Sequence, residues 1–319
     1  MDIFLAILIL IGSFILILIG GNKLVDSAVA IAHKFNIPTA VIGATLVSIG
    51  TTIPEILVTI FSVSSEAGDI AIGNSLGTVI FNACMLGGIL FCFSKIKLRK
   101  GWHIDYVILI TSATLLFLLS FDKRLSIGAS LAMLLIFVLF IIINFLEARK
   151  HPVQSDDQPP KHSVWIYLLM FVLSAAAVGA GAYFLVQKAT YLAELAGLSD
   201  IFIGLTIIAF GTSMPELITT INAIRKKKPR LVIGNLVGAN ILNLTLIIGL
   251  VGILTGGTTA ISNATLYVTM PFAIIATLVM LLPPIIKNRS YKWQGFVLLA
   301  LFVIYYTYLI LNAIGILVI

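Results

Sequence analysis

The chain has 319 residues, of which 60% are hydrophobic and 10% charged. A soluble protein of this length needs far more polar residues to cover its surface, so the composition excludes a soluble globular domain and points to an all-α integral membrane protein. The net charge of +7 does not indicate nucleic acid, because the basic residues gather in alternate connections between apolar runs.

Those runs are long enough to cross roughly 30 Å of hydrocarbon as helix, and the alternation of a membrane β-barrel is absent. Their spacing predicts ten transmembrane helices at 2–33, 38–65, 69–94, 102–120, 124–145, 164–194, 199–225, 229–254, 260–284 and 290–318. The first reads as a retained span rather than a signal peptide: it is long, starts with Asp2 and has no clear cleavage site. Asp26 and Lys23, near its inner end, are placed to pair or to snorkel. Cys84 and Cys92 lack metal-ligand spacing and read as packing residues. Asp105 and five other acids fall near helix ends, where hydrated positions are expected. Of the 20 Lys and Arg, sixteen lie at Lys34 and in the connections following the third, fifth, seventh and ninth helices. The positive-inside rule makes that side cytoplasmic and both termini extracellular, in a multi-pass protein of the cell (plasma) membrane.

Residues 146–163 form the only extended polar segment, a flexible cytoplasmic linker that separates a first five-helix repeat, 1–145, from a second, 164–319. The halves align without a gap at an offset of 161: Gly43 with Gly204, Gly50 with Gly211, Thr51 with Thr212, Pro54 with Pro215 and Glu55 with Glu216. Farther on, Gly73 meets Gly234, Asn74 meets Asn235, Gly77 meets Gly238 and Asn82 meets Asn243. An odd helix number per half inverts the second repeat, and inverted repeats place ion sites at the midplane between halves.

A carboxylate at bilayer depth costs several kcal/mol without compensation, which makes Glu55 and Glu216 functional candidates. Pro54 and Pro215 lack an N–H, so each should break its helix near Gly50 or Gly211 and leave carbonyls unpaired at the midplane. Thr51 and Thr52 share a helical face with Glu55, and Thr212 and Ser213 with Glu216. On the following helix Asn74, Thr78 and Asn82 form a stripe, matched by Asn235, Ala239 and Asn243. Hydroxyls, carbonyls and carboxylates are the hard oxygen ligands of Na⁺ and Ca²⁺. The same segments also match a capping box, Thr52 to Glu55 and Ser213 to Glu216, so capping and coordination can alternate. The Gly-x-x-x-Gly pairs read as close helix packing in preference to ion contact. For Asn74 and Asn235, interhelical hydrogen bonding and a place on the ion pathway both stand. No nucleophile–base set or phosphate loop is present, so the chain does not read as an enzyme, and no cofactor is expected.

At these motifs the chain resembles the cation/calcium exchanger superfamily, and within it the prokaryotic sodium/calcium exchangers. The Gly-Thr-(Thr/Ser)-x-Pro-Glu pair and the Gly-Asn-x-x-Gly-x-x-x-x-Asn pair resemble the two α-repeats of that family. The resemblance implies alternating-access antiport of Na⁺ against Ca²⁺. It implies that Glu55 and Glu216 bridge Ca²⁺ and share Na⁺, with Thr51 and Thr212 contributing a carbonyl or hydroxyl. It gives Thr52, Ser213 and Thr78 as sodium hydroxyls, the carbonyls of Ser48 and Ala209 as sodium ligands, and Asn82 and Asn243 as midplane positions. Ala239 stands where the family commonly has serine, which removes one possible sodium hydroxyl; Asn243 stands where potassium-dependent relatives, and some prokaryotic exchangers, have aspartate, and the lack of a third acid favours potassium-independent exchange. A proton-coupled antiporter of calcium or another divalent cation is the alternative reading, and a cation channel is the third. Ca²⁺, Na⁺ and the lipid bilayer are the expected partners, with no nucleic acid.

Overall fold

The computed structural model describes residues 3–64, 68–94, 96, 103–150, 162–195, 211, 213–313 and 316. Helix α1 spans Ile3–Lys34, α2 Thr39–Thr51 with a π-helical stretch at Gly43–Val47, and α3 Ile53–Ser64. Helix α4 runs through Gly68–Ile80, a π stretch at Phe81–Leu86, and Gly87–Phe93. Then come α5 at His103–Leu119, strand β1 at Arg124–Leu125 and α6 at Ile127–Lys150. The second part holds α7 at Val164–Leu195, α8 at Met214–Arg225, and α9 at Pro229–Leu254 with a π stretch at Asn243–Ile247. Strand β2 at Thr259–Ala260 precedes α10 at Thr265–Lys287, which opens with a π stretch, and α11 at Lys292–Ala313. Among the described residues seven helices are long and apolar enough to span a membrane, and α2 and α5 are shorter apolar helices.

Three boundaries differ from the sequence-based expectation. Arg124–Leu125 and Thr259–Ala260 pair as an antiparallel ribbon, so α6 and α10 start later than expected, at Ile127 and Thr265. Helix α6 also runs to Lys150, five residues into the segment read as linker. Leu146-Glu147-Ala148-Arg149-Lys150 is a run of strong helix formers, and nothing in it stops the helix. Residues 151–161 of that segment, and 199–210 of the expected seventh helix, lie outside the described residues.

Small residues set the packing. Helices α1 and α7 lie antiparallel along their lengths, because Gly20 meets Val178 and the Ser174 carbonyl while Gly181 meets Ile17 and the Ser13 carbonyl. Gly20 and Gly181, Ser13 and Ser174, and Ile17 and Val178 are each 161 residues apart, so the contact is reciprocal. The centre is α4 and α9. Gly88 of α4 receives Leu299 of α11, and Gly249 of α9 receives Leu134 of α6; these glycines are also 161 apart. Without a hydrophobic force between helices in lipid, such close approaches supply the dispersion contacts that hold the bundle together. Lys226, on the basic face, donates to Asp26 at 2.6 Å and to the Asn22 carbonyl at 3.1 Å. Asp26 therefore pairs across helices with Lys226, not with Lys23. Asp105 accepts from Asn144 at 2.8 Å and is partly buried, where a hydrated position was expected.

Candidate cation site

The first break is one residue sharp. Thr52, at φ −83° and ψ 1°, separates α2 from α3, and Ser213, at φ −86° and ψ 3°, precedes α8. Pro54 and Pro215 then fall in the first turn of a new helix, where the missing N–H is tolerated. Glu55 and Glu216 follow in the same first turn, at the positive end of the helix dipole. The expected unpaired carbonyls are fewer than the sequence suggested. The Ser48 carbonyl accepts the Thr52 N–H at 2.9 Å and the Thr51 hydroxyl at 3.3 Å, so helical bonding closes almost up to the break. Pro54 and Pro215 have no N–H to give the carbonyls of Gly50 and Gly211.

Both glutamates are completely buried, and none of their four carboxylate oxygens has a hydrogen-bond partner. The two carboxylates interact electrostatically, and the Thr51 side chain from the first half lies beside Glu216 of the second. Three more buried oxygens are unpartnered: Thr52 Oγ1, Ser213 Oγ and Asn82 Oδ1. Ser213 makes no side-chain cap hydrogen bond, so the capping box is not formed there. The elements interlock across the halves. Helix α3 packs on the π stretch Asn243–Ile247, and α8 packs on the π stretch Phe81–Leu86. Such bulges in α-helices occur frequently at functional sites, and here both lie in the Asn82 and Asn243 segments.

The remaining candidates fall into three groups. Thr78 is buried on α4, with Ala239, also buried, in the equivalent place on α9. Asn243 is engaged in packing: its Nδ2 donates to the Ala239 carbonyl at 2.9 Å, and the Ser75 hydroxyl donates to its carbonyl at 2.8 Å. Thr212 and Ala209 lie outside the described residues. Sequence reasoning missed Asn240. Asn82 Nδ2 donates to Asn240 Oδ1 at 3.0 Å, and Asn240 Nδ2 donates to the Val79 carbonyl at 3.3 Å. Asn240 aligns with Val79 at the 161-residue offset, so a search for matching polar pairs passes over it.

Two buried carboxyl groups stand against no buried Lys or Arg among the described residues. An uncompensated buried pair of this kind is strongly destabilising, so the arrangement calls for cations to complete it. A model of the sodium/calcium exchanger protein family matches residues 5–146 and 166–311. The chain belongs to this family. The exchanger resemblance carried by the duplicated motifs is thereby borne out. Among exchanger-family relatives, the putative antiporter CaxA of Alkalimonas amylolytica is 31% identical, over 96% of this chain and 98% of its own. The sodium/calcium exchanger MaX1 of Methanosarcina acetivorans is 29% identical, over 93% and 96%. The solved sodium-calcium exchanger NCX_Mj, soaked with Na⁺ and Sr²⁺, matches with a TM-score of 0.83 at 28% identity, covering 95% of this chain and 98% of that one.

Proposed function

We propose that this exchanger-family protein is a secondary active antiporter that moves Ca²⁺ against Na⁺ by alternating access, without potassium. The observation that carries the reading is the sealed pair Glu55 and Glu216, with four unpartnered oxygens and no buried basic residue among the described residues. One Ca²⁺, or a set of Na⁺ ions, neutralises the pair. An empty site must hold two bare carboxylates away from water, which raises the barrier to its return. Exchange is therefore favoured over uniport.

In this reading Glu55 and Glu216 bridge Ca²⁺ and share Na⁺, with Thr51 and Thr212 contributing beside them. Thr52, Ser213 and Thr78 supply hydroxyls to Na⁺, Ser48 and Ala209 supply carbonyls, and Asn82 supplies its free amide oxygen. Asn243 is an amide where a third acid would bring a further cation. The halves 1–145 and 164–319 are inverted five-helix repeats in a ten-helix protein, a reading supported by the reciprocal glycine contacts of α1 and α7. The basic face is cytoplasmic, with the linker, and both termini are extracellular in the plasma membrane.

The test is radiolabelled Ca²⁺ uptake into proteoliposomes loaded with Na⁺. Uptake should follow the outward Na⁺ gradient, be indifferent to K⁺, and nearly vanish in Glu55→Gln and Glu216→Gln variants that still fold. Uptake driven instead by a pH gradient without Na⁺ would establish the proton-coupled alternative. Flux without any counter-ion would establish a channel.

A further inference from the structure

We propose that Thr220 with Asn235 forms a transit site for the transported cation on the basic side of the glutamate pair, and that Thr59 with Asn74 forms its counterpart on the opposite side. The proposal rests on the antiport reading and adds two binding stations to it. Thr59 lies four residues after Glu55 on α3, and Thr220 four after Glu216 on α8, so each sits one turn beyond its carboxylate on the same face. Asn235 lines one crevice with Thr220, and α4, which carries Asn74, packs on α3 as α9 packs on α8.

All four residues carry polar atoms that the protein leaves unused. Thr59 Oγ1, Thr220 Oγ1, Asn74 Nδ2 and both amide atoms of Asn235 are buried without a hydrogen-bond partner. Neighbouring Thr219 shows the ordinary solution, donating to the Pro215 and Glu216 carbonyls at 2.9 and 3.0 Å. Interhelical hydrogen bonding is thus not what Asn74 Nδ2 and Asn235 do here. The oxygens among them, Thr59 Oγ1, Thr220 Oγ1 and Asn235 Oδ1, are explained when another state brings an ion to them, and the unpaired Nδ2 groups when that ion carries water.

The two stations differ in access. Thr220 and Asn235 line one crevice with Val25, Val47 and Ala223, and it is too tight for a water molecule. Beside it, a Cβ on Gly234 or Gly238 would stand 2.2 or 2.1 Å from the Ala40 or Ala44 carbonyl, so α2 is seated directly on α9. The residues equivalent to Ala40 and Ala44, Ile201 and Leu205, lie outside the described residues. Gly73 is exposed and Asn74 partly so, whereas Asn235 is 2% exposed.

The experiment uses the full chain in proteoliposomes of one orientation, with the KM for Ca²⁺ measured separately at each face. Asn235→Ala should raise the KM on the basic side roughly fivefold, the equivalent of one lost neutral polar contact, and leave the other face unchanged. Asn235→Asp should lower the KM on the basic side alone, and Asn74→Ala should reproduce the rise on the opposite face alone. Equal shifts at both faces, a change confined to Vmax, or no shift would overturn the transit sites. If Asn235→Ala fails to reach the membrane, the isosteric Asn235→Asp decides by the same criterion. A wild-type protein without Na⁺-driven exchange refutes the antiport reading instead; a one-sided KM shift for whatever Ca²⁺ flux it carries still tests the stations.

Discussion

An asparagine in a dry site can present its oxygen or its nitrogen, and only the oxygen serves a cation. The choice at Asn82 is made two residues away. The Val79 carbonyl can only accept, so it takes Nδ2 of Asn240 at 3.3 Å, which turns Asn240 Oδ1 towards Asn82. That oxygen takes Asn82 Nδ2 at 3.0 Å and leaves Asn82 Oδ1 buried and free. The order of donors follows from the fixed polarity of a backbone carbonyl. Asn240→Ala should therefore act through Asn82, raising the KM for Na⁺ and Ca²⁺ by about tenfold, as expected when a buried donor loses its partner. Asn82→Ala should have a similar effect, and the double variant should be no worse than either single one. Strictly additive effects in flux assays would show that Asn240 only stabilises the helix pair.

The helices carry the same logic at larger scale, because glycines decide which face of a repeat is shut. Gly238 faces a backbone carbonyl that cannot move aside without shifting α2. Gly238→Ala should cost about 1–3 kcal/mol, the usual range for overpacking, and lower the unfolding midpoint in detergent. An unchanged midpoint would contradict the close seating of α2 on α9. Much of this was legible in the chain. The ends of α9 were readable because Pro229 opens it and its apolar run is unbroken, and the kinks at Thr52 and Ser213 followed from the Gly-x-x-x-Pro spacing. The ribbon joining Arg124–Leu125 to Thr259–Ala260 was not, since two residues have no periodicity and the partners are far apart in sequence. Asn240 and the Asp26–Lys226 pair escaped for a related reason: their partners lie in the other half of the chain, and comparing repeats rewards identity rather than contact.

Across the whole molecule, the only buried formal charges among the described residues are the two glutamates, so the charge that crosses with the site is set by two carboxylates. Asn243 shows how that balance is kept. Its Nδ2 donates to the Ala239 carbonyl at 2.9 Å, a contact that an ionised aspartate cannot make because both groups would then be acceptors. Asn243→Asp would place a third negative charge in the sealed interior, opposite that carbonyl. The cheapest remedies are a proton on the new carboxylate or one more monovalent cation, since an unpaired buried charge is more costly than either. Exchange by the variant should therefore acquire a dependence that the native chain lacks. Ca²⁺ uptake should fall as the pH rises and the new acid ionises, and added K⁺ should restore it. Native uptake measured in parallel should ignore K⁺. Identical pH and K⁺ profiles for the two proteins would mean that position 243 lies outside the charge balance of the site, and that Asn243 serves packing alone.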